Sequence, residues 1–147
     1  MPQAEKSPSA SVQGLLAEYR GTETILIVDD EEAVRGLARD AVRAAGYCPL
    51  EAASVEEALA INERYDGPIH LLLADIIMPQ MGGRELMRML MRARPDMKVV
   101  FMSGYSEASM VRTDLAGNSA AFLAKPFAPI DLVMKLREVL DSPGRRS

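Results

Sequence analysis

Between Thr24 and Asp141, short apolar runs alternate five times with amphipathic helical patterns, and this strict alternation constrains the fold more than any other feature. The runs "TILIV" (24–28), "YCPLEA" (47–52), "HLLLA" (70–74), "MKVVFM" (97–102) and "AAFLA" (120–124) have the length and composition of strands. A stretch with helical periodicity follows each. In "EEAVRGLARDAVRAAG", Val34, Leu37, Ala38, Ala41 and Val42 share one face, expected to point inward, and Gly46 closes the helix. "SVEEALAINERY" opens with a capping box, Ser54 with Glu57. "GRELMRMLMRARP" ends at Pro95, "EASMVRTDLAG" reads as a weaker helix, and "PIDLVMKLREVLD" carries Pro129 in its first turn. Strands joined through helices run parallel, and the helices cover both faces of the sheet. Right-handed crossovers make this an α/β, doubly wound domain with a five-stranded parallel sheet, whose ligands bind outside the carboxyl ends of the strands. Pro49 cannot donate to a ladder, so the second strand belongs at an edge.

The 147 residues suffice for one such domain over 23–141, with 1–22 as a leader and 142–147 as a frayed tail. Residues 1–10 read as disordered, while Val12, Leu15, Leu16 and Tyr19 fit one short amphipathic helix. A net charge of −4 without a basic cluster argues against nucleic acid as a partner. No apolar run approaches the roughly 18 residues a membrane helix needs, and the amino terminus lacks a signal-peptide core. A cytoplasmic location is expected. The single cysteine, Cys48, excludes an internal disulfide and reads as a small half-buried hydrophobe.

The chemistry should therefore sit at the strand ends. The first strand runs into "DDEE", Asp29 to Glu32; the third ends at Asp75; the fourth at Ser103 and Gly104; the fifth at Lys125 and Pro126. No strand is followed by a glycine-rich dinucleotide or P-loop motif. The only histidine, His70, stands at the wrong end of its strand, and no His/Cys cluster for zinc exists. Asp75 interrupts an apolar run, seven of the eight residues Leu71–Met78, so it needs partners or a purpose. Two carboxylates about 5 Å apart repel by roughly 3 kcal/mol at an effective dielectric near 20, so Asp29, Asp30 and Asp75 together carry about 10 kcal/mol of mutual repulsion. Such a cup takes up protons or binds a cation. An all-oxygen site with room for water suits Mg²⁺, or Mn²⁺, rather than zinc. A carboxylate nucleophile, a divalent metal, Lys125 and the Ser103 hydroxyl are the parts for phosphoryl transfer onto an aspartate. Glu31 and Glu32 read as first-turn helix acids, a role also open to Asp30 as N-cap. Met81, Met87, Met89 and Met91 read as packing and helix surface.

The segments "ILIVDDEEAVR", "LLLADIIMPQMGGRELM", "VVFMSGY" and "AAFLAKPF", in this order and spacing, resemble the receiver domain of two-component response regulators, the CheY-like family, with hybrid histidine kinase receivers closest in motif. The resemblance implies a flavodoxin-like sheet of order 2-1-3-4-5 with five helices. It implies Asp75 as phosphoacceptor, Asp29 and Asp30 as the acidic metal pair, and the backbone carbonyl of Ile77 as a further Mg²⁺ ligand. Ser103 matches the switch hydroxyl, Lys125 the family lysine with a cis bond to Pro126, and Phe122 the switch aromatic, here without a hydroxyl. Ile77 and Tyr105 match the positions that tune the lifetime of the phosphoryl group; both are bulky and neither is an acid or amide that would orient an attacking water, so slow self-dephosphorylation is expected. The implied donor is a histidine kinase or histidine phosphotransfer protein. The implied output is a shift of the fourth helix, fifth strand and fifth helix, about residues 106–141, toward a protein partner. On this reading the chain is not a turnover enzyme; it promotes only its own phosphorylation and slow dephosphorylation.

No DNA-binding module fits in the six residues after Asp141, which leaves a free-standing regulator or an excised hybrid-kinase receiver. Two rivals come from other classes. A metal-dependent phosphatase with an aspartyl nucleophile would carry a second acid two residues on, where this chain has Ile77. A receiver-like scaffold that never accepts phosphate would have no need of the intact acids, Ser103 and Lys125.

Overall fold

The computed structural model describes residues 19–77, 82–104 and 121–142. They form β1 (Thr24–Val28), α1 (Glu32–Ala44), β2 (Cys48–Ala52), α2 (Val55–Arg64), β3 (Leu71–Asp75), α3 (Gly83–Ala93), β4 (Lys98–Ser103), β5 (Ala121–Ala124) and α4 (Pro129–Leu140). The five strands make one parallel sheet of order β2-β1-β3-β4-β5, the flavodoxin-like arrangement expected. Four helices lie among the described residues; the expected helix over 107–117 falls outside them, as do residues 1–18 of the leader.

Alternation along the interior strands sorts the core into two layers. Ile25, Ile27, Leu71, Leu73, Val100 and Met102 face α1 and α4. Leu26, Val28, Leu72, Ala74, Val99 and Phe101 face α2 and α3. Period-2 geometry requires this, because every interior strand of a doubly wound sheet is covered on both sides.

Local signals act as read, with corrections. Ser54 accepts from the Glu57 N–H at 3.1 Å, but the Glu57 carboxylate reaches the Ala53 N–H, one residue before the cap. Asp131 accepts from the Ala128 N–H, ahead of Pro129. Leu37 is not inward: it is 39% exposed, because the contact face of α1 centres on Ala38, Ala41 and Val42. Cys48 is exposed rather than half-buried, since edge strand β2 begins there. Met87 and Met91 pack on the α2/α3 layer, and Met81 lies outside the described residues.

Two polar fastenings hold the ends of the elements. At the end of α3, Arg94 donates to the Asn62 side chain and to the carbonyls of Asn62, Tyr65 and Gly67, tying α3 to the segment that enters β3. Gly46, at φ +96°, lets the Gly21 carbonyl approach so closely that a Cβ would stand 2.7 Å from it. Beside it, Gly21 donates to Ala45, and the Tyr47 hydroxyl donates to the Tyr19 carbonyl.

Candidate functional site

β1, β3, β4 and β5 end on one side of the sheet and bring their terminal residues together. Asp75 is the last residue of β3 and Ser103 the last of β4; Asp29 follows β1, and Lys125 follows β5. Asp75 pairs in register with Met102, and the Lys125 N–H donates to the Ser103 carbonyl at 2.9 Å, so the ladder itself fixes these neighbours. Oxygens of Asp29, Asp30 and Asp75 lie within 4.8 Å of one another. Asp29 and Asp75 are buried and Asp30 is exposed, which leaves the cup open on one side.

Lys125 bridges the buried pair. Its Nζ donates to Asp75 Oδ2 at 3.0 Å and stands 3.2 Å from Asp29 Oδ2, with Glu31 Oε1 at 3.6 Å. The Asp29 contact is an ion pair without hydrogen-bond geometry, so among the described residues Asp29 Oδ2 is buried with a charge partner but no directed donor. The other oxygens are oriented by main chain: Glu31 N–H to Asp29 Oδ1 at 2.8 Å, and Ile77 N–H to Asp75 Oδ1 at 3.1 Å. With its acids ionised, the cup of three carboxylates and one ammonium carries a charge of −2, the complement of a divalent cation.

Burial pushes the Asp29 carboxyl above its ordinary value; the Glu31 N–H and Lys125 oppose this, and the neighbouring Asp75 adds to it. Burial alone would lower the Lys125 ammonium, but the hydrogen bond to Asp75 and the charges of Asp29 and Asp75 outweigh it and hold Lys125 above its usual value. Ser103 Oγ is wholly buried and has no hydrogen-bond partner among the described residues. Leaving a buried hydroxyl unpaired destabilises a fold by about 1–3 kcal/mol, so this one stands where a further acceptor or donor would be expected. The oxygen-only donors, the net charge and the undirected Asp29 Oδ2 all fit a hard divalent cation such as Mg²⁺.

The remaining expected residues fall as follows. Ile77 stands at the rim, 54% exposed. Phe122 is half-buried, its ring 5.9 Å from that of Phe101. The Lys125–Pro126 bond is cis. Tyr105 lies outside the described residues. His70 is remote from the cup, its Nδ1 accepting from the Thr24 N–H at 2.9 Å, where β1 begins. Sequence reasoning missed Gly83, the first residue of α3. A Cβ there would stand 2.5 Å from the Asp75 carbonyl and 3.1 Å from the Phe101 ring, so only glycine lets α3 seat directly against the Asp75 strand end. It also missed Arg35, whose long-range partner on β2 no local pattern announces.

Comparison with known proteins agrees with this fold. The family described as response regulator receiver domain matches residues 25–137. The chain is 40% identical over 124 residues to the sensor kinase CckA of Brucella abortus, covering 84% of this chain and 13% of that protein's length. It is 32% identical to the response regulator receiver protein CpdR of the same organism, covering 79% of this chain and 95% of that one. The crystal structure of the receiver domain of the hybrid histidine kinase CckA superimposes with a TM-score of 0.67 at 35% identity, covering 80% of this chain and 99% of that one. No helix among the described residues is long and apolar enough to cross a membrane.

Proposed function

The chain belongs to the response regulator receiver domain family, and on that premise we propose that it accepts a phosphoryl group on Asp75 from a phosphohistidine. The donor would be a histidine kinase or histidine phosphotransfer protein. One observation carries the reading: three carboxylates gathered within 4.8 Å, with Lys125 Nζ seated between Asp29 and Asp75. Nothing in a purely structural strand end calls for that concentration of like charge.

Asp29, Asp30, Asp75 and the Ile77 carbonyl would hold Mg²⁺, which when bound would neutralise charge on the transferring phosphoryl oxygens. The chain's own residues do the rest. An Asp75 carboxylate oxygen attacks phosphorus in line, the P–N bond breaks, and its electron pair leaves on the imidazole nitrogen. The hydrogen bonds from Ile77 N–H and Lys125 Nζ keep the Asp75 carboxylate in one orientation. Lys125 then offers positive charge to a phosphoryl oxygen, and the buried Ser103 hydroxyl, which has no partner among the described residues, gains one. That new bond would draw the end of β4 toward Asp75, with Phe122 following on β5. The readout is a population shift on the face built by β5 and α4. A groove on that face, lined by Leu123, Pro126, Phe127, Met134 and Lys135, suits a protein partner.

The phosphatase alternative is disfavoured by Ile77, which puts an exposed apolar side chain where a general acid would stand. The module would therefore signal rather than turn over substrate, in the cytoplasm with its kinase. Incubation with Mg²⁺ and acetyl phosphate should add one phosphoryl mass to the chain and none to Asp75→Asn. Beryllofluoride should move amide resonances near Phe122. Addition of the mass at another residue, or no addition with a competent donor, would overturn the proposal.

A further inference from the structure

Arg35, in the first turn of α1, plays no part in the mechanism above. Its Nη1 donates to the main-chain carbonyl of Asp29 at 2.9 Å, and its Nε lies 3.5 Å from Glu51 Oε1 on β2. The other Glu51 oxygen is 3.4 Å from Arg39 Nη1, one turn further along α1, and Arg39 Nε donates to Asp40. Arg35 is only 16% exposed at its side chain, so this bond is made largely out of water, where a charged donor counts for more.

The carbonyl that Arg35 holds belongs to the peptide joining Asp29 to Asp30. A peptide group is planar, so fixing that oxygen fixes the plane from which the Asp30 Cα departs. Asp29 is pinned on its other sides, its N–H donating to Ala52 and its Oδ1 accepting from Glu31. Asp30 is exposed. The geometry points to Arg35 as a positioning residue for the Asp29–Asp30 pair, held in turn by Glu51. Through it, edge strand β2 determines how the exposed carboxylate stands relative to the buried one. The inference rests on the reading of the cup as a divalent-cation site.

Calorimetric titration of the full chain with Mg²⁺ tests it, together with metal-free amide spectra. Arg35→Ala should weaken Mg²⁺ binding by about tenfold, as loss of a group that orients a metal ligand does. Glu51→Gln should give a smaller loss. Arg35→Lys should recover part of the affinity, because an ammonium can reach the carbonyl but cannot also engage Glu51 as a fork. Without metal, the Asp30 amide should shift in Arg35→Ala while amides of β3 and β4 stay in place. A brace of helix to strand alone would lower stability and leave Mg²⁺ affinity unchanged; that result overturns the inference. If Arg35→Ala fails to fold, unchanged Mg²⁺ affinity in both Glu51→Gln and Arg35→Lys overturns it equally. Absence of Mg²⁺ binding by the wild type would instead overturn the cation reading, and this inference with it.

Discussion

Replacing Ser103 by alanine should stabilise the metal-free protein while impairing phosphorylation. The Ser103 hydroxyl is wholly buried at the end of β4 without a hydrogen-bond partner among the described residues. Removing such a group recovers a desolvation penalty of about 1–3 kcal/mol. Two smaller terms oppose the gain. The void of one oxygen, on the order of 10 Å³, loses roughly 0.2 kcal/mol at about 24 cal/mol per Å³. Alanine's weaker preference for a strand removes about a few tenths of a kcal/mol more. The net expectation for Ser103→Ala is a gain of about 0.5–2 kcal/mol, with the melting temperature rising about 2–4 °C for each kcal/mol. Urea unfolding in EDTA, followed by circular dichroism, measures it, provided the m value is unchanged. The same variant should accumulate phosphoryl group from acetyl phosphate more slowly than wild type. A loss of stability greater than about 0.5 kcal/mol, beyond ordinary surface variation, would mean that the hydroxyl is already bonded, and the reasoning would fail.

The Arg137 guanidinium, which also reaches the Tyr47 hydroxyl and the Arg20 carbonyl, hydrogen-bonds Glu23 and holds its carboxyl below the ordinary value of 4.5. Because the folded-state value is the lower one, the pair's contribution is complete above the unfolded value and fades as pH falls through the folded one. With both side chains under a quarter exposed, Arg137→Met should lose about 1–3 kcal/mol at neutral pH and progressively less in acid; an equal loss at both would contradict this. Gly83→Ala should destabilise by about 1–3 kcal/mol as α3 backs away from the Asp75 carbonyl, and should displace the Asp75 and Ile76 amides. A neutral result in urea unfolding would refute the close-approach argument. With Ile77 apolar and exposed beside the acceptor, the phosphorylated chain should lose its phosphoryl group slowly; a half-life of seconds for the isolated chain would count against that.

Sequence alone determined the strands and their parallel direction, because both are set by periodicity and alternation along the chain; the order of the strands came only from the resemblance to receiver domains. A run such as Leu71–Ala74 can satisfy its apolar side chains only between two helical layers, and strand-helix alternation leaves one direction for every strand. It also singled out Asp75, a carboxylate that its apolar neighbours could not explain. Tertiary structure decided what depends on distance across the fold. That Lys125 stands between Asp29 and Asp75, that Ser103 Oγ finds no partner among the described residues, and that Leu37 turns to solvent follow from packing among distant segments. The same holds for Gly83 and Arg35. A glycine's missing Cβ matters only where another element comes close, and an arginine's role is set by whichever carbonyl and carboxylate the fold brings within its reach.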